Sequence, residues 1–224
     1  MRCCASVVKI GLLFSIVLAP LPAHAAVIWN SAVNGPLSAS GSAPTAFNLT
    51  SGTNSIISTV GGGSQQNWVE IAIPSGLRLS ELVLASYQST DAQGFTGVQS
   101  GTTFVGSVNS AASYLGYTHF GTGATNGSLP ATNLVGTDVL PLMGNNAVTS
   151  PGSQGFTPPL PDGDYVFLIQ QLGAMTNYQY DFDVTQVPEP VGAWLLGAAG
   201  VGVLLLHRPC RRRGNGICEG CRVL

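Results

Sequence analysis

The chain has 224 residues and a formal net charge of −2. Between residues 26 and 187 eight carboxylates (Glu70, Glu81, Asp91, Asp138, Asp162, Asp164, Asp181, Asp183) face one base, Arg78. That balance excludes a nucleic-acid surface, which needs clustered Lys and Arg to neutralise phosphates. The same segment has no cysteine, so it folds without disulfides and cannot run Cys–His chemistry.

The first 25 residues read as a secretory signal peptide forming a signal helix. Arg2 and Lys9 supply the positive start, Ile10 to Ala19 the apolar core, and Pro20-Leu21-Pro22 the break. Ala23-His24-Ala25 is a small-x-small site, and cleavage by signal peptidase is predicted after Ala25. Cys3 and Cys4 lie too early for lipid attachment. The other reading of this stretch is an uncleaved anchor.

Residues 26–185 make one exported domain, long enough for a substantial core. They are rich in Gly, Ser, Thr and Asn and show no sustained helical period. Strand signals between turn residues predict an all-β sandwich. Asn34 to Thr53 is an irregular lead-in. In the run from Trp68 to Ile73, Val69, Ile71 and Ile73 share one face. Pro74-Ser75-Gly76 is a turn, and Leu77 to Tyr87 a second strand with its fullest apolar run at Leu82-Val83-Leu84. Phe95 to Gln99 and Thr103 to Val105 flank Ser100-Gly101 as a hairpin.

Gly106 to Pro159 reads as long loops with a few short strands, or a small helix around Leu134 to Met143. Pro161-Asp162-Gly163-Asp164 is a turn. Tyr165 to Gln170 is apolar on both faces, hence central. In the last strand Tyr178, Tyr180, Phe182 and Val184 point one way, and Gln179, Asp181 and Asp183 the other.

Signals for chemistry in this domain are sparse. Its one histidine, His119, has no G-x-S-x-G elbow to serve and reads as a half-buried loop or strand residue. Asp162, Asp164, Asp181 and Asp183 are the carboxylates open to calcium, but no known loop spacing supports that, and no metal or cofactor site is predicted. Gly61-Gly62-Gly63-Ser64 lacks the lysine of a phosphate loop and reads as a turn. Asn48-Leu49-Thr50 and Asn126-Gly127-Ser128 are glycosylation sequons by pattern alone.

The densest signal lies between residues 186 and 213. Val187-Pro188-Glu189-Pro190 leads into sixteen uncharged residues, Val191 to Leu206. As a helix these span about 24 Å at ~1.5 Å each, a little under a ~30 Å hydrocarbon core. Trp194 suits the outer interface. Arg208, Arg211, Arg212 and Arg213 form a stop-transfer cluster that holds the far end in the cytoplasm. Residues 214–224 make a tail extension in which Cys218 and Cys221 have CxxC spacing. A zinc site there would need two further ligands, and a loose cytoplasmic tail is the plainer reading.

This order of tag, membrane run and basic cluster resembles the PEP-CTERM sorting domain of Gram-negative bacteria. The resemblance implies transient anchoring by the C-terminal transmembrane helix and handling near Pro188-Glu189-Pro190 by an exosortase-like membrane protease. Release or attachment at the cell surface and association with exopolysaccharide and biofilm would follow. The departure from the family is the stretch after Arg213. A permanent single-span anchor is the alternative.

The domain itself resembles the pre-peptidase C-terminal (PPC-like) domain, a jelly-roll-like β-sandwich. The matching pieces are Gly52-Thr53-Asn54, Trp68 to Ile73, Ile73-Pro74-Ser75-Gly76-Leu77, Asp162 to Phe167 and Tyr178 to Phe182. Family members usually carry Asp where this chain has Asn67, and Gly where it has Asp162 or Asp164 before the Tyr. The resemblance implies an accessory or binding module without catalysis. A sugar-binding module would expose Trp29, Trp68 or Tyr114 in a groove, whereas a glycan hydrolase would bring two acids together in a cleft. The expectation is a non-enzymatic, exported surface or matrix protein.

Overall fold

The computed structural model describes residues 25–63 and 65–188. The chain divides into two compact units, Met1–Gln186 and Val187–Leu224. The signal peptide with Ala23, the sorting residues Glu189 and Pro190, the apolar run, the arginines Arg208, Arg211, Arg212 and Arg213, and the tail lie outside the described residues. Among the described residues no helix is long and apolar enough to cross a membrane.

Nine strands carry the fold: β1 (Ala26–Asn30), β2 (Thr45–Asn48), β3 (Gly52–Val60), β4 (Gln65–Ile73), β5 (Leu77–Gln88), β6 (Gln93–Ser100), β7 (Gly116–Gly121), β8 (Gly163–Gln171) and β9 (Thr176–Gln186). Among the described residues two short α-helices, α1 (Ser31–Asn34) and α2 (Leu140–Gly144), and a 3-10 turn at Ala111–Ser113 accompany them. One sheet has the order β1-β3-β9-β5 and the other β2-β4-β8-β6-β7. Pairing is antiparallel except at two edges, where β1 runs parallel to β3 and β2 to β4. The steps β3–β4, β4–β5, β5–β6 and β8–β9 each pass from one sheet to the other. The all-β sandwich expected from the strand spacing is therefore present.

The inner faces meet in one core. Val69, Ile71 and Ile73 of β4, Phe167 and Ile169 of β8, and Tyr178, Tyr180, Phe182 and Val184 of β9 are all buried in it. Aromatic edges fill the space between them: Phe167 meets Phe182 at 5.6 Å and 87°, and Phe120 meets Tyr180 at 5.4 Å and 62°. Such edge-to-face contacts add to the gain from area burial. Asn67, a polar residue within this core, donates to Tyr178 Oη (2.9 Å) and to the Thr59 carbonyl (3.1 Å), so its amide is not left unpaired.

Local chemistry accounts for the elements. Leu77 N donates to the Pro74 carbonyl, and Gly76 has φ +80°, so Pro74–Leu77 is a tight turn with glycine where positive φ is required. In β5 the pairing register shifts between Leu79 and Glu81 and again between Leu84 and Ser86. These bulges put Leu79, then Leu82 and Leu84, then Tyr87 on the core side, which is why the strand does not alternate cleanly. The outer edge of β5 is covered: Gly136 N and Val139 N donate to Leu84 O and Leu82 O, and Leu79 exchanges two bonds with Leu160. Asp138 Oδ1 accepts from both Leu82 N (2.9 Å) and Leu140 N (3.0 Å), tying that edge to the start of α2.

Three expectations change. Thr103–Val105 is not a strand, and β6 pairs with β7 and β8 instead of with its immediate successor. Residues 101–115 form a strap across the sheet, because Phe104 and Tyr114 gain more by packing on Trp68 and Phe95 than by a local hairpin. The irregular lead-in contains a strand, β2, whose four residues pair with β4. β1, which the pattern did not mark, adds to β3. The small helix near Leu134 to Met143 is found as α2.

Candidate functional site

The outer face of the five-stranded sheet carries the most structured surface. Its registers align Trp68, Leu168, Gly97 and Tyr117 across β4, β8, β6 and β7. The strap closes over this row. Phe104 lies 4.8 Å from Trp68 and 5.3 Å from Tyr114, whose hydroxyl donates to the Val108 carbonyl (2.9 Å). Trp68, Tyr114, Val166 and Leu168 thus form a second buried cluster. Gly97 is required beneath it: a Cβ there would sit 2.5 Å from the Tyr114 ring. Burial pushes the Tyr114 hydroxyl well above its ordinary range and raises Tyr117 as well.

The next row is Gln66, Gln170, Phe95 and His119. Here the strap stops short, and a cleft of about 570 Å³ opens over the sheet. The turns at Asp91–Ala92 and Leu172–Gly173 close it on one side, and Val108 and Asn109 of the strap on the other. His119 Nδ1 lies 2.8 Å from the Thr125 carbonyl and donates to it, which turns Nε2 away from that bond. The main chain of His119 is held by Asn126, whose side chain accepts from His119 N (2.6 Å) and donates to His119 O (3.1 Å). Gln93 Oε1 accepts from Thr125 N and Oγ1, leaving its Nε2 toward the cleft. The side-chain amides of Gln170 and Asn109 have no hydrogen bond among the described residues, Asn109 being held by its main-chain N on Ser107 Oγ. Asp91 is occupied otherwise: its carboxylate accepts from Ala174 N (2.6 Å).

The residues expected to mark a site fall elsewhere. Trp68 and Tyr114, named for a sugar groove, are 2% exposed and belong to the covered cluster. Trp29 is half-buried and packs edge-on against Phe47 at 5.7 Å. A groove of these three rings is therefore not formed, because each is worth more under apolar cover than in water. The four aspartates do not converge either. Asp164 lies on the outer side of the five-stranded sheet, with Val166 and Leu168. Asp181 and Asp183 lie on the outer side of the four-stranded sheet, where Ser55 and Thr53 hydroxyls donate to them. Among the described residues no group of three potential metal ligands occurs.

The cleft is lined by one carboxylate, Asp91, whereas a glycosidase pair needs two. The sequon at Asn126 is buried and its amide is spent on β7, while Asn48 is exposed on β2. Val187 and Pro188 stand exposed directly after β9, and Ala25 is exposed directly before β1.

Sequence reasoning missed Gln93, Phe95, Asn109 and Gln170 as a group. They are 77 residues apart at the extremes; the register of β6 and β8 pairs Phe95 with Gln170, and the strap brings Asn109 over them. No protein-family model, curated protein or solved structure matches the chain.

Proposed function

We propose that this chain is an exported, non-enzymatic protein of the cell surface or extracellular matrix of a Gram-negative bacterium. In this reading the signal peptide is removed after Ala25 and the C-terminal helix anchors the chain. An exosortase-like protease then acts near Pro188-Glu189-Pro190, and the domain is released or attached to the envelope among exopolysaccharide. The observation that supports this best is the position of the tag. Strand β9 ends at Gln186, and Val187-Pro188 follows at once as exposed chain. A protease bound at the membrane could reach the tag without unfolding the sandwich.

The body fits the reading of a single jelly-roll-like sandwich. β3, β4, β5, β6, β7, β8 and β9 match seven of the eight strand positions of such a roll, the 136–139 stretch bonds to the edge of β5 where the eighth would run, and β1 and β2 add at the edges. An accessory or binding module is the role that the resemblance to PPC-like domains implies.

The deciding experiment is the intact mass of the protein recovered from its own host, with and without the exosortase-like protease. A mass running from Ala26 to about Pro190, dependent on the protease, is expected. A mass extending to Leu224 in both strains would replace sorting with a permanent anchor.

A further inference from the structure

The cleft over Gln170, Phe95 and His119 has no part in sorting, and its chemistry selects a class of ligand. Its free polar groups are mostly amides: the whole side-chain amides of Gln170 and Asn109 and Nε2 of Gln93, with Nε2 of His119 beside them. Together they offer both donors and acceptors, the combination that hydroxyl groups need, since each hydroxyl donates once and accepts twice. Phe95 and Val108 contribute apolar surface among them. The only ionisable acid, Asp91, is bonded to Ala174 N.

We infer that this cleft binds a neutral glycan chain, with sugar hydroxyls on Gln93, Asn109, Gln170 and His119 and an apolar sugar face against Phe95. An acidic glycan or a phosphate is held best by Lys or Arg. No lysine or arginine lines the cleft, and Arg78, the only Lys or Arg among residues 26–187, lies on β5 in the other sheet. A peptide strand would add to a sheet edge through its main chain. This cleft instead lies on a sheet face whose central strand, β8, is already paired on both sides. The volume, about 570 Å³, falls within the ~300–1,000 Å³ of ordinary ligand sites. The inference stands apart from sorting, since it concerns the folded domain alone.

The test uses the full-length protein in a zwitterionic detergent without sugar head groups, applied to an array of neutral and acidic glycans. Gln170→Ala and Asn109→Ala are compared with the parent, singly and together. Neither side chain holds a hydrogen bond within the described residues, so the urea midpoint should not move. Retention of neutral glycans is expected, weakened about tenfold by each change. Failure to retain any neutral glycan, retention of acidic glycans only, or equal affinity in the double variant would overturn the proposal. The intact-mass result is independent of these variants, so loss of one reading leaves the other standing.

Discussion

Tyr178 shows how a single residue constrains the conditions under which the sandwich survives. Its ring is buried between the sheets, and burial pushes its hydroxyl up to about 12, partly offset by hydrogen bonding from Asn67 and Ser58. Burial also raises Tyr180 well above its ordinary value. Below a pH of about 10 neither the folded nor the unfolded chain ionises these groups. Above it the unfolded chain loses the protons first, so stability falls as pH rises from about 10 toward 12. A pH scan following tyrosinate absorbance and near-ultraviolet circular dichroism should show ionisation and unfolding together. Tyrosines that all titrate at their ordinary value in an intact fold would contradict this. The alternation of Tyr178, Tyr180, Phe182 and Val184 was legible in the sequence because a strand sends alternate side chains to opposite faces. The partner of Tyr178 was not. Asn67 is distant in the chain and polar, and nothing local marks it as a core residue.

Among the elements, the strap of residues 101–115 departs most from local expectation. Gln99, at the end of β6, holds it from below: its Nε2 donates to the carbonyls of Val105 (2.8 Å) and Ser113, and its Oε1 accepts from Val105 N (2.7 Å). Gln99→Ala removes these bonds and leaves the strap held by its ends, by Phe104 N on the Gly41 carbonyl (2.8 Å) and by the packing of Phe104 and Tyr114. The expected cost is about 1–2 kcal/mol, with the strap opening locally before the sandwich unfolds. Limited chymotrypsin digestion, which would cut after Phe104 or Tyr114, should run faster in the variant. An unchanged digestion rate would mean that the remaining contacts suffice. The hairpin expected at Ser100-Gly101 rested on local turn chemistry. Tertiary packing overrides it because two aromatic rings find a buried surface across β4 and β8.

For the molecule as a whole, the order of strands in space decides which changes are tolerated. β9, the last strand, is central in its sheet, paired with β3 on one side and β5 on the other. β1, the first, is an edge. Gln179→Pro removes a backbone donor between two neighbours and should cost ~3 kcal/mol or more. Val27→Pro, on the exposed edge, should cost well under half of that. Urea midpoints of the two variants test the contrast, and equal losses would argue against a central β9. The same topology requires that the sandwich be completed by β9, so the domain cannot close until the chain up to Gln186 is available.

What the sequence determined by itself was whatever depends on neighbours along the chain. Alternation marked the faces of β4, β8 and β9, and the Pro74–Gly76 turn followed from proline and glycine geometry. The proposed targeting signals at both ends rest on the sequence alone. Tertiary structure decided everything that depends on registers between distant strands. It buried Trp68 and Tyr114 under the strap, set Asp164 and the Asp181–Asp183 pair on opposite outer faces, and assembled Gln93, Phe95, Asn109, Gln170 and His119 around one cleft. The physical reason is that β pairing joins segments by hydrogen bonds that any residue can supply, so the chain carries little local record of which face meets which.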